Sequence, residues 1–194
     1  MTLVLKRTVD PTVEPVSLTE AKNHLRVDIA DDDVLISSKI MAAREYFEWA
    51  TNRALINQTW RLSLNEWPGG DRIVLPRRPL SSVTSVVYTN SAGVATTWAA
   101  ANYDVDTESD PGLLRLAYGI SWPTVTLRPT NPIQITFVAG YGAAATSVPE
   151  HMRQAVLLLA GYWYENREGV NLGQGYTALS LPFAIDSLIW MCKF

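Results

Sequence analysis

Hydrophobic spacing divides the chain into helical and extended stretches. Ser17-Leu18-Thr19-Glu20 has the form of a capping box, with Ser at the N-cap and Glu three positions on, and predicts a short helix from Leu18 to about Leu25 that buries Leu18, Ala21 and Leu25. Pro15 marks the end of extended chain before it. Asp31-Asp32-Asp33 places carboxylates where they can cap the first amides of a second helix and suit its positive dipole end, with the helix running to about Asn52. Its stripe is Ile36, Ile40, Ala43, Phe47 and Ala50, and Leu35, Ala42, Tyr46 and Trp49 follow a neighbouring row. A helix apolar on more than one face is central, or shared with a partner.

From Ile56 the period changes to two. Trp60, Leu62 and Leu64 alternate with Arg61, Ser63 and Asn65, and Pro68-Gly69-Gly70-Asp71 supplies a turn before Ile73-Val74-Leu75. Val83 to Thr89, the turn Asn90-Ser91-Ala92-Gly93 and a partner around Thr96 to Ala99 read as a hairpin within a β-meander. Tyr103 to Asp106, Gly112 to Leu116 and Ile133 to Tyr141 complete about six short strands between Pro, Gly and Asn breakers. Ser147-Val148-Pro149-Glu150 then opens a third helix twice over, as a capping box and with Pro149 in the first turn. Met152, Val156, Leu159 and Trp163 form its stripe, and Gly169 is placed to stop it after Glu168. Val170 to Ser180 reads as a mobile loop, after which Leu181-Pro182-Phe183 starts a last helix carrying Ile185, Leu188, Ile189 and Cys192. The fold class expected is α+β: a small helical bundle of about four helices with an antiparallel β insertion between the second and third. The boundaries are 1–55 for the N-terminal helices, 56–142 for the β insertion, 143–169 for the third helix, and 170–194 for the loop and final helix.

Composition narrows the function classes. The 194 residues are 47% hydrophobic and 18% charged, with 16 Lys and Arg against 19 Asp and Glu, so the chain can bury a real core and is not of the disordered class. A net charge of −3 without a Lys/Arg cluster is not the basic footprint of a tight DNA binder. Cys192 is the single cysteine, and His24 and His151 the only histidines, which excludes an intramolecular disulfide and a Cys/His zinc site. The first positive charges follow a brief apolar patch, the reverse order of a secretory signal, so no export is expected. Ala155 to Tyr164, the longest apolar run near the end, is about half the length of a bilayer span and reads as a buried helix.

No pattern of residues in the sequence points to catalytic or metal chemistry. Asp31 to Asp33 are placed for an N-cap, while Asp104, Asp106 and Asp110 lack the Gly and terminal Glu of a calcium loop, so no metal is expected. Gly173-Gln174-Gly175-Tyr176-Thr177-Ala178 matches a dinucleotide fingerprint by letter but follows a helix instead of a strand, and is read as loop. No Ser sits in a nucleophile elbow, and neither histidine has an orienting partner, so no catalytic residue and no cofactor are assigned. For the seven tryptophans, core packing and partner contact are equal readings. On the second view, Trp67, Trp98 and Trp122 of the β insertion would bind a carbohydrate or peptide. The segment Leu181 to Phe194, with Phe183, Ile185, Leu188, Ile189, Trp190 and Met191, is a tethered apolar helix that either folds back on the first helices or enters a groove on another subunit.

The order of these pieces resembles a known family. Pro15-Val16-Ser17-Leu18-Thr19-Glu20-Ala21-Lys22, His24-Leu25-Arg26-Val27, Asp32-Asp33-Val34-Leu35-Ile36, Ala42-Ala43-Arg44 and Thr51-Asn52-Arg53-Ala54-Leu55 are similar to the opening of the head-to-tail connector (adaptor, head-completion) proteins of long-tailed bacteriophages. Leu75 to Val83, Phe137 to Gly142, Val148-Pro149-Glu150 and Tyr164 to Glu168 extend the resemblance, which runs from about Pro15 to Leu188. It implies a non-enzymatic virion protein: a ring of about twelve subunits beneath the portal, in the neck between head and tail, assembled in the host cytoplasm without a membrane. The ring would extend the DNA channel, with DNA sliding past a lumen that is not strongly basic, and would receive a tail-side stopper or tail terminator. The resemblance makes Leu181, Pro182, Phe183, Ile185, Leu188, Ile189, Trp190 and Phe194 a portal-docking segment, although the ending Ile189 to Phe194 departs from the more polar finish usual there. It also makes Arg44, Phe47, Arg53, Arg153 and Arg167 candidates for contacts between subunits, with a solvated face as the equal reading of each arginine. Defective prophages and particles that package host DNA use the same kind of part.

Overall fold

In a computed structural model of the chain, the structure describes residues 3–166, 170–171, 177–178 and 182–193. The chain divides into two compact units, one of residues 1–12 and 57–143, the other of residues 13–56 and 144–194.

The first unit holds eight strands: β1 (Leu3–Val9), β2 (Gln58–Leu64), β3 (Arg72–Val74), β4 (Leu80–Thr89), β5 (Ala95–Trp98), β6 (Tyr103–Asp106), β7 (Leu113–Leu116) and β8 (Ile133–Ala139). They form a five-stranded sheet in the order β1-β2-β8-β4-β5 and a three-stranded sheet in the order β3-β7-β6, with every pairing antiparallel. The alternation read from the sequence sets the faces. In β8, Ile133, Ile135, Phe137 and Ala139 are fully buried while Gln134, Thr136 and Val138 are half-buried. The register places Leu62 and Val86 on either side of Ile135, and Leu64 beside Ile133, which makes the centre of the core. The hairpin from β4 to β5 forms as expected: Asn90 Oδ1 accepts from the amides of Ala92 and Val94 at 3.0 and 2.9 Å, and Gly93 takes φ +82°. A simple meander does not form. The last strand, β8, inserts between β2 and β4, and the N-terminal Leu3–Val9, outside the expected 56–142 interval, supplies the edge of the same sheet.

The second unit holds α1 (Leu18–Leu25), α2 (Asp33–Thr51), α3 (Glu150–Glu165) and α4 (Phe183–Met191), and a two-residue antiparallel pair of β9 (Val170–Asn171) and β10 (Thr177–Ala178) within the stretch expected to be loop. Gly169 and the Gly173 to Tyr176 part of the letter match lie outside the described residues. The core is built from Ile36, Ile40, Ala43 and Phe47 of α2 and Met152, Ala155, Val156, Leu159 and Ala160 of α3. Among the described residues the chain is thus α+β, with four α-helices and antiparallel sheets.

Helix starts test the capping arguments directly. The capping box of α1 forms in full: Ser17 N donates to Glu20 Oε2 at 2.8 Å and Glu20 N to Ser17 Oγ at 3.2 Å. Asp32 stands at the N-cap of α2 without a side-chain cap bond, because the carboxylates are used across helices. Asp32 Oδ2 accepts from the Tyr164 hydroxyl at 2.5 Å, and Asp33 pairs with Lys22 at 2.6 Å. The second expected capping box is also absent. Residues 145–147 form a 3-10 turn that leaves Pro149 at the N-cap, so Glu150 falls in the first turn and pairs with Arg153 and Gln154.

Candidate docking site

The terminal helix α4 has two faces of opposite fate. Ile185, Ile189 and Cys192, at i, i+4 and i+7, are buried against the other helices of the unit, so this face folds back within the chain. Phe183 is 88%, Trp190 65% and Met191 57% exposed. Phe183 and Trp190 flank a shallow groove of about 430 Å³ bordered by Asp186, Ser187 and Lys193. Of the eight residues read as a portal-docking segment, Phe183, Trp190 and Pro182 are exposed, Leu188 is half-buried, and Ile185 and Ile189 are in the core. Leu181 and Phe194 lie outside the described residues, as does Arg167.

A buried polar network holds the base of this helix. Arg53, 7% exposed, follows α2 and donates from Nε to the Cys192 carbonyl at 2.9 Å, which satisfies an orphan acceptor at the end of α4. One helical turn back, Glu48 Oε1 accepts from the Leu55 amide at 2.9 Å, closing the chain as it leaves α2. Glu48 Oε2 takes the guanidinium of Arg44 at 3.0 Å, and Arg44 Nε donates to Glu14 Oε2 at 2.7 Å. Burial opposes the charge on Arg44, but the bond to Glu14 and the charges of Glu48, Glu14 and Glu45 outweigh it, so its pKa rises. Burial pushes the Cys192 thiol up, partly offset by Arg53.

Phe47 and Arg153, the other described residues considered for subunit contacts, are also committed within the chain. Phe47 has no exposed surface. Arg153 donates to the Pro15 carbonyl at 2.9 Å, to Glu150 at 2.7 Å and to Glu20. The carboxyl of Glu20 is held below its usual value first by the Ser17 amide and then, against the opposing effect of burial, by the Ser17 hydroxyl and Arg153. Sequence reading named the arginines and missed their acids. The Arg44/Glu48 spacing of four was the visible signal for one pair; nothing local marks Glu14. Trp49, by contrast, stands 77% exposed on α2.

The aromatic residues of the β unit turn on each other. Trp67 and Trp122 stack at 4.9 Å with planes 12° apart, and Trp98 meets both at 5.6 and 5.3 Å and Tyr103 at 5.6 Å. Trp122 Nε1 donates to the Gly70 carbonyl at 2.7 Å, so the cluster ties two loops together. Rings spent on mutual contact are not the open platform that a carbohydrate or peptide site requires. Among the described residues no group of His, Cys, Asp and Glu is placed to hold a metal ion, and no helix is long and apolar enough to cross a membrane. Asp106 instead closes a local turn through the Ser109 amide and hydroxyl, and Asp110 pairs with Arg78 at 3.2 Å.

The fold is a helical unit whose last helix shows aromatic side chains to solvent, joined in sequence to an antiparallel β unit. The chain belongs to the phage gp6-like head-tail connector family, whose model matches residues 15–108. Among solved structures, a chain of the neck of an empty gene transfer agent (GTA) particle computed with C6 symmetry is 28% identical, with 98% of this chain and 95% of that one covered and a TM-score of 0.80. A chain of the virion of a native GTA particle is 30% identical over 97% and 94%, also at 0.80. A chain of the neck of a native GTA particle computed with C12 symmetry is 30% identical over 100% and 95%, at 0.77. No curated protein sequence matches the chain.

Proposed function

We propose that this protein is a non-enzymatic connector subunit of a tailed-phage-like particle, located in the neck, where copies form a closed ring under the portal, extend the DNA channel and receive a tail-side stopper or terminator. The observation that carries this reading is the near-complete likeness to chains of gene transfer agent necks and virion, at 28–30% identity over at least 94% of each partner chain. The C6 and C12 symmetries of those necks support a repeated head-to-tail interface over a two-fold pair. The portal contact falls to the outer face of α4, because exposed Phe183 and Trp190 are the kind of large anchors that dominate interface energetics, and the opposite face is already used. Portal and stopper contacts, like the lumen, are part of this proposal.

The test is to mix the purified chain with the portal protein encoded near it and weigh the products by native mass spectrometry. Intact protein should add a full ring. A Phe183→Asp, Trp190→Asp double variant, which leaves Ile185 and Ile189 in place and should keep its circular dichroism, should add none. A portal that takes up neither protein refutes the connector reading; one that takes up both refutes the role of α4.

A further inference from the structure

The outer face of the five-stranded sheet carries an arrangement that folding alone does not explain. Lys6 of β1 and Arg61 of β2 are direct cross-strand partners, and like charges placed opposite one another oppose pairing of the strands. Neither has an ion-pair partner among the described residues. Both line a groove of about 510 Å³ together with Arg128, Ser63 and Asn131, and no carboxylate borders it. The third cation is held in place: the Arg128 amide bonds the Thr89 carbonyl at 3.1 Å, its Nη2 the Asn131 carbonyl at 2.9 Å, and the Asn131 amide bonds Asn65 Oδ1 at 3.1 Å. Arg128 Nε is buried with no partner. Three cations thus converge on one concavity built before any anion arrives.

The complementary feature is in the same unit. Asp104, Asp106, Glu108 and Asp110 alternate along one short segment. Asp106 is consumed by its turn and Asp110 by Arg78, whereas Asp104 and Glu108 are exposed. They lie on and just beyond β6, the outer strand of the three-stranded sheet, which pairs only with β7. We propose that the groove of Lys6, Arg61 and Arg128 receives the Asp104 to Glu108 edge of a second copy of this chain, giving an opposite-charge contact that repeats head to tail. Two different patches of one molecule, one basic and one acidic, are what a heterologous interface needs, and charge complementarity fixes its register and rejects wrong partners. Duplex DNA fits the groove less well. It presents about one charge per 1.7 Å along a rod and calls for an extended cationic track, not a single pocket. This inference rests on the ring reading above.

The experiment uses full-length protein in two charge-reversed forms, Lys6→Glu with Arg61→Glu, and Asp104→Lys with Glu108→Lys, followed by native mass spectrometry and sedimentation. Each form alone has groove and edge of one sign. Each should need on the order of tenfold more protein to self-associate than the natural chain, while their mixture restores both contacts alternately and returns to the natural value. Raising salt from about 0.15 M to about 1 M, which shortens screening from about 8 to about 3 Å, should weaken the natural chain and not the single forms. Self-association of both folded forms equal to the natural chain, or a mixture that recovers nothing, overturns the inference and leaves the ring reading standing. A mixture that recovers open chains or pairs, with no closed ring from the natural protein, supports the groove contact and removes the ring. Duplex DNA binding that is lost with Lys6→Glu and Arg61→Glu, without change in self-association, overturns the proposal in favour of a polyanion site.

Discussion

Arg44→Met tests the network beneath the terminal helix most directly. Arg44 is 3% and Glu48 4% exposed, so the substitution removes the cation between two acids and deprives the buried Glu48 carboxylate of its Arg44 partner. Breaking a buried pair from one side costs about 3–5 kcal/mol, because the remaining charge stays buried and loses the opposite charge that compensated it. That is a large part of the ~5–15 kcal/mol that holds an ordinary fold. Glu14 is different: its side chain is 31% exposed, so Glu14→Gln exchanges a charge-assisted bond for a weaker one and should cost about 1 kcal/mol. The informative variant is the double, Arg44→Met with Glu48→Gln. It removes both buried charges and keeps an acceptor for the Leu55 amide, so it should recover about 2 kcal/mol of the single-variant loss. Guanidinium unfolding followed by helical circular dichroism would read the single variant as a drop of about 1 M in midpoint, taking a slope of about 4 kcal/mol/M. A loss under about 1 kcal/mol for Arg44→Met, or a double variant no more stable than the single, would refute the view that the loss of the Arg44 charge beside Glu48 is the source of the effect.

Other expectations follow from the same contacts. A Cβ at Gly112 would lie 2.4 Å from Leu80 Cβ, where both neighbours are backbone-anchored, so Gly112→Ala should destabilise the β unit by about 1–3 kcal/mol; a melting temperature unchanged from the natural chain would contradict this. Cys192 is 3% exposed and its thiol is pushed up by burial, so a thiol reagent should leave the folded chain unmodified at neutral pH; Arg53→Ala, which frees the Cys192 carbonyl and loosens the end of α4, should speed labelling at least several-fold, and equal rates would argue against that tether. Glu20 ionises more readily when folded, so its share of stability is present above the ordinary value of 4.5 and is lost as pH falls through its lower folded value; Glu20→Gln should flatten that part of the acid unfolding curve, and an unaltered curve would show that the capping box does not report there.

Local pattern carried most of the elements. The Ser17 to Glu20 box specifies where a helix starts, and the Ile36, Ile40, Ala43, Phe47 stripe and the Ile133 to Ala139 alternation specify type and buried face from spacing alone, because helix and strand periods are properties of a few adjacent residues; of the Leu18, Ala21 and Leu25 expected to be buried in the first helix, only Ala21 is. Where expectation and structure part, a distant residue has intervened. Asp32 and Asp33 look like caps until Tyr164 and Lys22 compete for them, and Arg44 looks like a surface cation until Glu14, thirty residues away, draws it inward. The aromatic cluster is similar: Trp67, Trp98 and Trp122 are equally consistent with a binding platform and with packing until their rings are seen stacked together.

The sequence by itself determined the alternation of helical and extended stretches, the turns at Asn90 and Gly93, the buried stripes and, through the order of its motifs, the connector family. The tertiary structure alone decided which strand lies beside which, that Leu3–Val9 closes one edge of the larger sheet, and which face of α4 is spent on the core and which is left to solvent. The reason is range. A period is fixed by neighbours along the chain, whereas strand partners and ion pairs are chosen by closing loops of tens of residues, where many pairings satisfy the same local pattern and only the packed whole selects one.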